Sequence, residues 1–321
     1  MAKQKDNTKK KTYEKLPINH AELVAHLKSK GLSISDESVL ENALFHIGYY
    51  RLRGYFYPFY KTREIIKVIK EEGKEDREKK TTELLDPKIF SEGSNFEKVI
   101  ELYNFDRKLR LLIIEQIQII EISLRNCLCE HMCQRYGSHW FMNLSIMSVD
   151  FDYKGFVDKV SSSKELFITH FYEKYSAPKY PPSWMVAETL TFGTWSRVFS
   201  DLRLKDQKEI SKIFDINKPE ILAGWFHTLT VLRNLCAHHN RVWNRNFQNF
   251  APMALDSISV HMGKKNSIYC RLSMLRFLTK KILIKDEFNF SLKKLIDERP
   301  SFVKTEDMGF IPNWDTTDLW K

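Results

Sequence analysis

FEKVIELYNFDRKLRLLIIEQIQIIEISLRNCLCEHMCQRY, residues 96–136, is the stretch that fixes the architecture. Leu102, Phe105, Leu109, Leu112, Ile113, Ile117, Ile120, Leu124 and Leu128 recur at intervals of three and four. That spacing predicts a long helix with one buried side running through the core. Asp106, Arg107 and Arg110 are polar within it, and Glu121 stands one turn before Arg125, a favourable pairing.

On the C-terminal side, Gly137 closes this helix and leads into an irregular, aromatic stretch. The paired prolines of Tyr180-Pro181-Pro182-Ser183-Trp184 set the approach to a helix over 185–190. Gly193 marks a turn into another helix that reaches Leu202, and further helices are expected over 210–214, 218–250 and 268–284. MGFIPNWDTTDLW, residues 308–320, resembles an extended segment docked through Phe310, Trp314 and Trp320.

On the N-terminal side, Leu23 and Leu27 before Gly31 predict one helix. Ser35-Asp36-Glu37 supplies N-cap chemistry for a second, running through Leu40, Leu44 and Ile47. GYYRLRGYFYPFY, residues 48–60, packs tyrosines around Arg51 and Arg53. Such a mixture can stack bases and clamp phosphates, or form an aromatic core corner whose arginines face water. In an extended segment the two arginines would share a face. Residues 61–95, rich in Lys and Glu and ending in Ser91-Glu92-Gly93-Ser94-Asn95, read as a partly helical excursion or mobile loop. No period-2 strand pattern, internal repeat or Gly-rich phosphate loop stands out. The expected fold is mostly α. It comprises a basic flexible tail at 1–15, a helical and aromatic segment at 16–60, the charged loop at 61–95, a helical core at 96–285 and a docking tail at 286–321.

The chain carries 51 Lys and Arg against 41 Asp and Glu, a net charge of +10. That excess favours a polyanionic partner, nucleic acid before an acidic membrane surface. Part of it sits in MAKQKDNTKKKTYEK, too poor in apolar residues to fold alone. No apolar run is long enough to span a bilayer, and no signal-peptide core accompanies the lysines, so a cytoplasmic protein without a membrane partner is expected. The five cysteines (Cys127, Cys129, Cys133, Cys236 and Cys270) fit reduced thiols in apolar helices. Cys129 and Cys133 would share a helix face from which His131 points away, and no paired CxxC exists, so zinc is not expected.

The chemistry concentrates in LTVLRNLCAHHNRVWNR, residues 229–245. Arg233, Asn234 and His238 put a cation, an amide and an imidazole within one and a half helical turns. A guanidinium holds two phosphate oxygens in a fixed fork, and imidazole can take a proton from a ribose 2′-hydroxyl or give one to a leaving oxygen. The segment lacks Pro and Gly from Trp225 to Phe250, so a helix is its expected setting. Asn234 and His238 then share a face, and the amide can orient the imidazole. Arg233 and His238 lie about 140° apart on an ideal helix. Both reach one phosphate only if the arginine curls round, the helix distorts, or a second copy of the motif faces the first. The plainer alternative is a pair of solvated charges or carbonyl caps at a helix end. Arg125, Asn126 and His131 form a second Arg-Asn…His string with one residue more, better suited to a structural role. His239, Arg241 and Arg245 are candidates for supporting the site or contacting RNA.

Several motifs in order then give a resemblance. LVAHLKSKGLSISD (23–36), IGYYRLRGYFYPF (47–59), residues 102–126, PPSWMVAETLTFGTWSRVF (181–199), residues 225–245 and MGFIPNW (308–314) are similar to the Abi-like proteins of the AbiD/AbiF type. These are bacterial abortive-infection proteins with a HEPN-type helical domain. The resemblance implies an Arg-x(4–6)-His motif in Arg233 and His238, with Asn234 as its polar position. It implies a metal-independent, cofactor-free endoribonuclease whose site is completed by a second motif, usually across a homodimer. Arg125, Asn126 and His131 also satisfy the loose pattern. It further implies an RNA substrate and association with a small non-coding RNA. Arg51 and Arg53 join Arg241 and Arg245 as expected RNA contacts. The rival expectations are a non-catalytic RNA-binding protein using the same basic surface and an interaction protein with an acidic partner.

Overall fold

The computed structural model describes residues 16–69, 77–283 and 287–321, together with residues 12, 14 and 285. The basic segment at 1–15 lies almost wholly outside the described residues. The chain is mostly helical, as its periodicity predicts, and divides into two units, residues 1–103 and 104–321.

In the first unit, α1 (His20–Ser29) opens on a capping box. Asn19 Oδ1 accepts from the Glu22 N–H, and the Glu22 carboxylate accepts from the Asn19 N–H, both at 2.9 Å. α2 (Glu37–His46) is capped by Asp36, where the Ser35-Asp36-Glu37 string predicts, and buries Leu40, Ala43 and Leu44. α3 (Tyr49–Phe56) continues through a 3-10 turn at Tyr57–Phe59. It buries Leu52, Tyr55 and Phe56, the core-corner alternative for those aromatics, while Tyr50 and Tyr57 remain exposed. Because the backbone here is helical, Arg51 and Arg53 stand about 200° apart. They do not share a face, contrary to the extended reading.

The segment at 61–95 corrects the expectation of a strandless excursion. β1 (Thr62–Ile69) pairs antiparallel with β2 (Arg77–Leu84), Thr62 opposite Leu84 and Ile69 opposite Arg77. Thr62, Ile65, Ile66, Thr81 and Thr82 are β-branched and favour pleated backbone. The interspersed Lys and Glu, which resemble a solvated helix surface, serve equally on a two-stranded ribbon such as this one, where Arg63, Glu64, Glu78, Lys80 and Glu83 are exposed.

The division between the units falls within α4 (Phe96–Tyr136), whose bounds are those its periodicity predicts. In the second unit its stripe from Phe105 to Leu128 is buried, with Leu112 half-buried, and Gly137 ends it at φ 87°. The stretch read as irregular contains α5 (Tyr153–Ser161) and α6 (Leu166–Lys174), each too short for a period to show. α7 (Ser183–Thr189) starts behind the paired prolines. α8 (Phe192–Asp201) is capped by Thr191, so Gly193 lies inside its first turn and not at a turn before it. A Cβ on Gly193 would lie 3.2 Å from Thr230 Cγ2, which marks how closely α8 approaches the neighbouring helix.

That neighbour is α10 (Pro219–Ala237), which packs against α8, α9 (Leu204–Ile213) and α11 (Ile268–Ile282) and buries Leu222, Trp225, Leu229 and Leu232. α11 is buried on every side from Ile268 to Thr279. Its polar members are satisfied: Arg271 donates to the carbonyls of Lys265 and Ser267, and Arg276 to those of Leu319 and Lys321. α12 (Phe288–Asp297) occupies part of the stretch read as tail. Beyond it Phe310, Trp314 and Trp320 close over Tyr269 at ring-centroid distances of 4.6, 6.5 and 6.2 Å, the expected anchors. The segment is not extended, however: it turns through 3-10 helices at Glu306–Met308 and Trp314–Thr316.

Candidate functional site

The Arg233 motif occupies the last turn of α10, and the helix stops inside the motif. Ala237 is the last helical residue and His238 is the C-cap, so the expected continuation toward Phe250 does not occur. The His239 N–H donates to the Cys236 carbonyl at 3.0 Å and the Asn240 N–H to the Leu235 carbonyl at 2.8 Å. With His239 left-handed at φ 57°, this is a Schellman cap. It satisfies carbonyls a helix end leaves orphaned. Histidine is among the few non-glycine residues that tolerate such a φ.

A buried carboxylate holds the chain just past this cap. Asp106 on α4 is fully buried and accepts from the N–H groups of Val242, at 3.1 Å, and Trp243, at 2.6 Å. Its other oxygen pairs with Arg110, itself 4% exposed. Charge-assisted bonds from buried groups are the strong ones, so this clamp fixes the exit of the chain from α10. Phe247 is pinned further along, its ring 4.0 Å from the Arg271 guanidinium. Desolvation pulls that guanidinium down to about 10.

At this clamped end Arg233 is half-buried, whereas Asn234 and His238 are exposed. Arg233 Nη1 donates to Asn234 Oδ1 at 3.3 Å. The amide therefore engages the guanidinium, and the expectation that it orients the imidazole is not met: the His238 side chain has no partner among the described residues. Cys236, between them in sequence, is buried, and burial pushes its thiol up to about 12. Beside the motif lies an open cleft of about 390 Å³, walled by Val231 and Leu235 of α10 and by residues 245–249. Arg245 lines this cleft and is exposed, its Nη1 3.5 Å from the Arg241 carbonyl; Arg241 and His239 each have a partner of their own.

The second string is built into the packing. Arg125 donates to the Ala187 carbonyl at 3.0 Å and lies 3.8 Å from Glu121, as their spacing predicts. His131 Nε2 is 3.3 Å from the fully buried Asp206, which also takes the Tyr136 hydroxyl at 2.9 Å and faces Arg135 at 3.4 Å. Asn126 is exposed. These contacts tie α4 to α7 and α9. Arg51 and Arg53 belong to the first unit. The sequence does not single out the Asp106–Arg110 clamp as part of the site, although a carboxylate four residues after Leu102 and three before Leu109 sits on the buried stripe. Among the described residues no group of three His, Cys, Asp or Glu is placed to hold a metal ion, and no helix is long and apolar enough to cross a membrane.

A helical protein with an Arg-Asn…His motif, its Asn and His exposed and its Arg half-buried, on a clamped helix end is the class these observations define. The family model for Abi-like proteins matches residues 42–244, well over half of the chain, and takes in α3, the hairpin, α4 and the whole α10 motif. The chain belongs to the Abi-like protein family. No curated protein and no solved structure matches it.

Proposed function

We propose that this chain is a metal-independent endoribonuclease of HEPN type, acting in an abortive-infection or toxin–antitoxin-like system as a homodimer associated with a small non-coding RNA. The observation that carries the proposal is the presentation of Arg233, Asn234 and a His238 imidazole without a partner among the described residues, at the capped, clamped end of α10. Membership of the Abi-like family supports the setting, and the net charge of +10 supports an RNA substrate.

His238 takes the proton of a ribose 2′-hydroxyl, the 2′-oxygen attacks phosphorus, and the bond to the 5′-oxygen breaks as that oxygen collects a proton. The fork of Arg233 neutralises charge growing on the phosphorane, and Asn234 holds the fork in place. The second imidazole that acid–base symmetry calls for comes from the partner's copy of the motif. The products are a 2′,3′-cyclic phosphate and a 5′-hydroxyl.

The test is RNA cleavage by purified protein in excess EDTA beside Arg233→Ala and His238→Ala, with chemical analysis of new 3′ ends. Cyclic phosphates from the wild type, falling roughly 10²- to 10⁴-fold in His238→Ala, are expected. Intact RNA bound alike by all three proteins would replace the proposal with the RNA-binding reading.

A further inference from the structure

α3 carries an exposed strip that the α10 motif does not use. Tyr50 is 87% exposed and Tyr57 42%, and both lie far outside the range of a core tyrosine. They are seven residues apart in continuously right-handed helical backbone, so they face the same way with Arg53 between them. Arg53 is exposed, and Gly54 beside it offers no side chain to block the floor of the strip: a Cβ there would meet nothing within 4 Å. The span between the tyrosines is about 10 Å, the length of about three stacked nucleotide steps. Lys88 adds a second cation at the far end: its Nζ lies over one face of the Tyr57 ring, 4.6 Å from the centroid and 3.3 Å from the hydroxyl. Tyr60 meets the ring edge-on at 6.1 Å, so a base would stack on the other face. Residues 48–60 contain two arginines and no carboxylate. Arg51 lies on the opposite side of α3 and has a partner of its own.

Exposed rings spaced along one face, with cations between and beside them, are the elements of a single-stranded nucleic-acid platform. Rings stack bases of any identity, and the cations track the phosphates. The strip offers a partner positive charge and exposed aromatic rings, and a polynucleotide, with its phosphates and bases, complements both. We infer that the Tyr50–Arg53–Tyr57 face of α3, with Lys88, binds a single-stranded polynucleotide by base stacking, at a site in the first unit separate from Arg233 and His238. The inference does not require cleavage: it holds for an RNA-binding protein as well as for a ribonuclease.

The test uses fluorescein-labelled 12-mers of oligouridine, of oligodeoxythymidine, of the same backbone without bases, and a duplex of equal length. The deoxy strand lacks the 2′-hydroxyl and so reports binding whatever becomes of the proposed nuclease reaction. Anisotropy titrations at fixed salt compare wild type with Tyr50→Ala, Tyr57→Ala, Tyr50→Phe and Arg53→Ala. These side chains are exposed, and circular dichroism checks that each variant keeps its helices. Roughly tenfold weaker binding of both single strands is expected for each Tyr→Ala variant, with near-wild-type binding in Tyr50→Phe and a clear preference for single strand over duplex. Affinity for the abasic backbone equal to that for the base-bearing strands would overturn the inference, as would unchanged binding in both Tyr→Ala variants.

Discussion

Arg233 carries its argument in the shape of its guanidinium as much as in its charge. Lysine preserves the charge and removes the planar fork along with the donor that meets Asn234 at 3.3 Å. Arg233→Lys is therefore expected to slow the proposed cleavage roughly 10²-fold or more, while RNA affinity stays close to wild type. Single-turnover kinetics beside equilibrium binding separates the two, and equal losses in both would show a binding role only. Cys236, three residues on, is no nucleophile. With its thiol pushed up to about 12 by burial, almost none of it is thiolate near neutral pH. Iodoacetamide at pH 8 should label half-buried Cys133 before buried Cys129, Cys236 and Cys270, which react only on unfolding. Peptide mass spectrometry over time gives the order, and early labelling of Cys236 would contradict the burial. At this scale the sequence marks candidate residues and does not decide between them, because Arg125, Asn126 and His131 form a similar string that is built into the packing. It does not expose the pairing. Asn234 can reach back to Arg233 or forward to His238, and only the actual end of the helix decides between them.

The end of α10 is where an element departs from its own sequence pattern. α4 is legible to its bounds because it repeats one stripe over 41 residues. Nothing between Trp225 and Phe250 is a Gly or Pro, and the stop comes from His239 at φ 57° and from a carboxylate 136 residues away in sequence. Such a tertiary stop leaves no local mark. The hairpin at 62–84 escapes a sequence reading for a related reason, since its β-branched residues lie among charges that suit either structure. Two substitutions test the cap. His239→Gly suits the left-handed position and should leave thermal stability level or slightly raised, whereas His239→Val should cost about 1–2 kcal/mol. Cleavage that survives the glycine and not the valine would make His239 a residue of conformation. Asp106→Ala removes the clamp and the carboxylate that pairs with buried Arg110, with an expected loss of about 3–5 kcal/mol. Asp106→Asn keeps an acceptor for the two N–H groups and should lose less. Urea denaturation of the two variants gives the comparison, and an Asp106→Ala protein as stable as wild type would refute the clamp.

For the molecule as a whole, the mostly helical class and the anchoring of the final segment are legible, and the division into two units falls inside the longest helix among the described residues. The final segment matters because α11, buried on every side, depends on distant residues to cover it. Trp320 is 2% exposed, its indole N–H donates to the Tyr269 hydroxyl at 3.2 Å, and its ring meets Phe288 at 5.6 Å and Trp314 at 5.0 Å. Two carbonyls flanking it in this segment, those of Leu319 and Lys321, satisfy buried Arg276. Trp320→Ala therefore opens a cavity and loosens the carbonyls that Arg276 needs, with an expected loss of about 3–5 kcal/mol. α11 packs on α10, so this loss lowers the population of folded sites without altering any group at Arg233 or His238. The expected signature is a urea midpoint shifted well down by far-UV circular dichroism, together with wild-type single-turnover cleavage per folded molecule at low temperature. Arg233→Ala should show the reverse, an unmoved midpoint and lost cleavage. If Trp320→Ala also removed cleavage from fully folded protein, the final segment would have to act at the site itself and not only through the core it closes.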